Sequence, residues 1–121
     1  MSNCNTYKNL SSGVLNTVAG QTAAHLEILN LGFFPATFRY QILNWNSGTP
    51  VVAADETVIV APNRTTFRTV ATPAFHYELR VQHPGDPNLI INHFAVNAAT
   101  FTLPGLTLTQ KDLMVISSPL I

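Results

Sequence analysis

The stretch Phe75-His76-Tyr77-Glu78-Leu79-Arg80-Val81-Gln82 alternates large apolar and polar side chains without a break. Successive side chains of a strand point to opposite faces, so this period of two predicts a β-strand with Phe75, Tyr77, Leu79 and Val81 in a core and His76, Glu78, Arg80 and Gln82 on a wet face. Thr37-Phe38-Arg39-Tyr40-Gln41-Ile42 repeats the design, with Phe38, Tyr40 and Ile42 inward and Thr37, Arg39 and Gln41 outward. Outward from these two segments, short β-rich runs at 14–19, 23–31, 56–61, 65–71, 89–97, 100–108 and 113–117 predict further strands. The separators between them, such as Asn46-Ser47-Gly48-Thr49-Pro50 and His83-Pro84-Gly85-Asp86-Pro87, hold turn-forming residues that end a ladder. No apolar helical period runs through the chain; Gln110-Lys111-Asp112 is fit for a single helical turn.

This spacing predicts an all-β fold, a single β-sandwich of jelly-roll or immunoglobulin-like Greek-key type. The 121 residues suffice for one such domain. Residues 1–13 are rich in Asn, Ser and Thr, with Tyr7 and Leu10 as their large apolar groups, and they read as an extended N-terminal arm ending at Gly13. The expected organisation is therefore a flexible connector arm, 1–13, followed by the sandwich, 14–121.

Charged residues form only 10% of the chain, against about 25% in an average domain, and six basic residues balance six acidic ones. Without a basic field, nucleic acid and anionic membrane surfaces are poor partners. With a mean hydropathy of +0.20, the neutral chain has little charge repulsion to oppose self-association. The polar start Met1-Ser2-Asn3-Cys4-Asn5-Thr6 lacks the pattern of a secretory signal, and no apolar run is long enough to span a bilayer. Asn9-Leu10-Ser11 and Asn63-Arg64-Thr65 match the glycosylation sequon, which has no weight without export.

Candidate chemistry centres on His25, His76, His83 and His93, with the pairs His25/Glu27 and His76/Glu78 each on one strand face. Neither pair belongs to a longer ligand pattern, so they read as solvated outer-face residues. No nucleophile motif or phosphate-binding glycine loop is present. The expectation is no enzyme activity, no metal and no cofactor. Trp45, beside Asn44 and Asn46, is a candidate sugar-stacking platform, though an aromatic closing the core is the plainer reading. Phe33-Phe34-Pro35 reads as an edge plug of the sandwich or, alternatively, a sticky surface.

Cys4, the only cysteine, lies close to the start of the chain and cannot form an intrachain disulfide. A short polar cysteine-bearing arm joined to one neutral, Thr- and Asn-rich sandwich resembles the pilin subunits of bacterial endospore appendages. Phe38-Arg39-Tyr40-Gln41-Ile42 and Thr66-Phe67-Arg68-Thr69-Val70 are similar to family strands in texture. The resemblance implies a jelly-roll subunit of an extracellular or spore-surface fibre, a homopolymer in which a connector with Cys4 as its cysteine, residues 5–12 as its body and Gly13 as its hinge reaches a neighbouring subunit; apart from the resemblance, Tyr7 and Leu10 are the candidate apolar anchors of such an arm. It also implies disulfides from connector to sandwich, and here the chain departs from the family, because its sandwich has no cysteine. Cys4 is left with Cys4 of another copy, a different anchoring protein, or noncovalent docking. The alternatives in function are a carbohydrate-binding or adhesive module and a viral or phage coat protein.

Overall fold

A computed structural model describes residues 7–121. Among these residues nine strands form in chain order: β1 (Lys8–Asn16), β2 (Ala23–Asn30), β3 (Ala36–Asn44), β4 (Val51–Val60), β5 (Arg64–Ala71), β6 (His76–His83), β7 (Leu89–Val96), β8 (Thr102–Leu108) and β9 (Met114–Ile116). They make two antiparallel sheets, one ordered β4-β3-β6-β1-β9 and the other β5-β2-β7-β8. Every expected strand is present within a few residues of its predicted bounds, except that β1 and β4 begin well before them. The expected helical turn is a 3₁₀ turn at Gln110–Asp112, where the Thr109 N–H donates to the Asp112 carboxylate at 2.8 Å. Among the described residues, no helix is long and apolar enough to cross a membrane.

The core lies between the sheets. Phe38, Tyr40 and Ile42 of β3 and Tyr77, Leu79 and Val81 of β6 meet Leu26 and Ile28 of β2 and Leu89 and Ile91 of β7. Each such side chain removed from water contributes about 1.5–3 kcal/mol. Phe75 departs from its expected place. It precedes β6 with φ 75° and is 69% exposed, because the chain turns there before the ladder begins and the period of two does not yet apply.

The largest correction concerns the N-terminal segment. Residues 8–16 are not an arm: they form an inner strand, paired with β6 on one side and β9 on the other. Leu10 is buried in the core of its own sandwich rather than held out for a neighbour. Gly13, with φ 68°, is a bulge residue between the Ser11 and Val14 positions of the ladder rather than a hinge. Left-handed φ carries little penalty for glycine alone. The boundary at 13/14 therefore cuts through a strand. Tyr7 is half-exposed ahead of β1, and Cys4 lies outside the described residues.

The outer face of the five-stranded sheet is also drier than the alternation implies. Glu78 and Gln41, expected in water, are buried. Ser11 donates to Glu78, as do Trp45 Nε1 at 2.8 Å and Arg80 Nε at 2.9 Å. Burial acts to raise the Glu78 carboxyl, but these donors, Arg80 first, hold it below its ordinary value. Gln41 exchanges two hydrogen bonds with the backbone of Ile121.

Candidate functional site

A concavity with a volume near 440 Å³ opens on the outer face of the four-stranded sheet. Alternation along β2 builds it. Ala24, Leu26 and Ile28 point into the core, which turns His25 and Glu27 to the outside. The register sets Thr69 of β5 and Phe94 of β7 directly opposite His25, and Phe67 of β5 opposite Glu27. One imidazole thus sits between an aromatic ring and a hydroxyl, with a carboxylate one pleat away.

The contacts obey that register. His25 Nε2 lies 2.8 Å from Glu27 Oε1, and His25 Nδ1 lies 3.0 Å from Thr69 Oγ1. The His25 ring stacks on Phe67 with centroids 5.2 Å apart and planes 23° from parallel, and Phe94 flanks it at 6.4 Å. The far wall comes from Val96, Thr100 and Thr102, where the β7–β8 ladder jumps from Phe94/Thr107 to Val96/Thr102. Chemically this is a stacking surface rimmed by hydroxyls and one carboxylate.

The remaining histidines are dispersed. His76 Nδ1 pairs with Asn16 Oδ1 at 2.7 Å and does not join Glu78, so the second expected pair does not form. His83 accepts from the Gly85 N–H through Nδ1 at 2.9 Å, and its Nε2 reaches the Leu89 carbonyl at 2.8 Å, locking a loop. His93 is wholly buried. Gln21 Nε2 donates to the Tyr77 hydroxyl at 2.8 Å, and that hydroxyl sits 2.9 Å from His93 Nε2. Burial pushes the Tyr77 hydroxyl up to about 12, Gln21 acting in the opposite direction. Burial likewise depresses His93 to about 4, opposed weakly by its own backbone. Among the described residues, no group of three His, Cys, Asp or Glu converges as a metal-ligand set.

Two aromatic candidates change roles. Trp45 donates its indole N–H to Glu78, while Asn46 bridges Ala74 and His76 and Asn44 holds the Asn46 N–H, so this trio is committed to loop structure. Phe33 and Phe34 do not plug an edge. They are 93% and 78% exposed at the tip between β2 and β3.

His25 and Glu27 were visible in the sequence as a spaced pair. Phe67, Thr69, Phe94 and Thr102 were not, because only the pairing of β5, β2, β7 and β8 assembles them.

No protein-family model matches the chain, and no curated protein sequence matches it. Among solved structures, the crystal structure of Thermotoga maritima 1070 is similar over 93% of this chain and 94% of its own, with a TM-score of 0.49 and 14% identity.

Proposed function

We propose that the protein is a structural subunit that self-assembles into an extracellular or spore-surface fibre, and that its contacts run through an apolar sheet edge. The observation that carries this reading is the side of the sandwich where β8 and β9 end the two sheets. Met114 and Val115 of β9 are 69% and 67% exposed, and Phe101 just ahead of β8 is 70% exposed. An uncharged strand edge offers unpaired backbone groups to a second chain, and exposed apolar side chains give it an area to bury. The opposite side is closed differently. There Arg68 of β5 meets Glu56 of β4 at 3.0 Å, and the Tyr40 hydroxyl donates to Glu56 at 2.8 Å. Charge guards one edge and is missing from β9.

The placement of β1 removes residues 8–13 from the connector role. What is left for it is the segment ahead of Lys8; β1 itself lies beside β9, with Asn9 paired to Ile116. A contact between one edge and a different surface of the next copy is heterologous and grows a ring or a fibre. The strand order supports the jelly-roll form of the sandwich. Of the successive connections, only β3–β4 and β7–β8 stay within a sheet and the others cross, whereas an immunoglobulin-like chain keeps about half of its connections within a sheet.

The test is light scattering and negative-stain microscopy of the purified chain beside a Val115→Lys variant. Filaments in the wild type and isolated particles in the variant are expected. Closed shells would favour the coat-protein alternative, and monodisperse monomers at high concentration would refute assembly.

A further inference from the structure

We infer that the groove around His25 is a binding site for a neutral carbohydrate. A pyranose ring has an apolar C–H face and a rim of hydroxyls that both donate and accept, and the groove presents the complement of each. His25 stacked on Phe67, with Phe94 tilted alongside, gives an aromatic cluster against which such C–H groups can pack. Thr102 supplies a hydroxyl beside it, Thr69 and Thr100 keep lone pairs on hydroxyls already paired with His25 Nδ1 and the Ala99 carbonyl, and Glu27, nearly half exposed, spends Oε1 on His25 and keeps a second oxygen as an acceptor. The volume, about 440 Å³, falls in the range of small-molecule sites. Among the described residues, neither Lys nor Arg lines the groove, which disfavours phosphate or sulfate ligands.

The groove wall includes the unusual backbone of Thr100. Its φ of 63° is a left-handed conformation that a β-branched residue rarely adopts. The loop imposes it: the Asn97 carbonyl accepts the Thr100 N–H at 2.9 Å, and Asn97 Oδ1 accepts the N–H groups of Ala99 and Phe101 at 2.9 and 3.0 Å. That conformation sets a threonine on the groove wall. Glycoside hydrolysis by the usual route needs two carboxylates across the scissile bond. Among the described residues that line the groove, Glu27 is the single carboxylate, so the chemistry is recognition without cleavage.

The test is an NMR titration with cellohexaose, maltohexaose and chitohexaose, run on wild type and on the Val115→Lys variant so that sugar binding is read independently of assembly. At least one sugar is expected to give saturable shifts at Phe67, Phe94 and Thr102. Phe67→Ala and Glu27→Gln, both at exposed positions that the core does not need, are expected to weaken that binding by about tenfold or more while leaving the amide spectrum dispersed. Thr100→Gly should weaken it less. The inference fails if none of the three sugars saturates, if neither variant weakens binding, or if tetramethylammonium displaces the sugar and so marks the aromatic floor as a cation site.

Discussion

The buried pair Tyr77–His93 makes the stability of the sandwich depend on pH in a window set by one residue. His93 has an ordinary value of 6.5 and is depressed to about 4 by burial in the folded chain. Between those two values the unfolded chain binds a proton that the folded chain refuses, so the His93 contribution to stability falls as pH falls through the window and is constant on either side. Each pH unit between them corresponds to about 1.4 kcal/mol, which places the full loss on the order of 3 kcal/mol. The structural reason is specific. Nε2 and the Tyr77 hydroxyl lie 2.9 Å apart in the core while Nδ1 lacks a well-formed hydrogen bond, so charging His93 would bury a cation that leaves one N–H without a good partner. The assay is urea denaturation from pH 7.5 down to 4 for wild type and His93→Gln, which keeps a polar partner for Tyr77 and cannot titrate. The variant should be less stable at pH 7.5, and the gap should close by about 3 kcal/mol towards pH 4. Asp55, held at about 2 chiefly by Arg39, acts at lower pH and is common to both proteins, so it cancels in the difference. Parallel curves for the two proteins would refute the argument.

Leu79→Ala, at a fully buried position between the sheets, should cost about 2–5 kcal/mol in denaturant unfolding. Gly13→Val forces a β-branched residue into φ 68° at the β1 bulge and should cost about 1–2 kcal/mol, read as a lowered melting temperature. Glu78→Ala should cost about 3–5 kcal/mol by stranding the largely buried Arg80, whereas Arg68→Ala on the exposed Glu56 pair should cost under about 1 kcal/mol, less at high salt. Deleting residues 1–6 should leave a cooperative unfolding transition, while deleting 1–12 should abolish it, because the second cut removes half of an inner strand; a folded 1–12 deletion would restore the connector reading.

How far the site and fold could be read beforehand depended on whether the pattern stayed in phase. Residues 38–42 and 77–81 keep an unbroken period of two, and every expected inward side chain among them is buried. In β1 the two core-facing leucines, Leu10 and Leu15, stand an odd number of residues apart, which in a regular strand puts them on opposite faces. The bulge at Gly13 inserts one residue and brings both to the core, so a polar, out-of-phase sequence became an inner strand that looked like an arm. Phe75 fails for the converse reason: it continues the alternation on paper, but its backbone has already turned out of the ladder.

By itself the amino-acid order determined the features that local chemistry dictates: an all-β chain, the positions of its turns, the inward faces of its two cleanest strands and a surface poor in charge. Side-chain alternation and turn propensity act over a few residues, so they are written in a few residues. Strand neighbours were decided only by the tertiary structure, because pairing joins residues far apart in the chain, and no local pattern records that Ser11 will meet Glu78 or that Thr69 and Phe94 will flank His25. The same long-range pairing put Glu78 and Gln41 out of water on a face that alternation assigns to solvent. It also left Phe33 and Phe34 in solvent where an apolar plug was expected, since burial depends on what covers a residue and not on the residue alone.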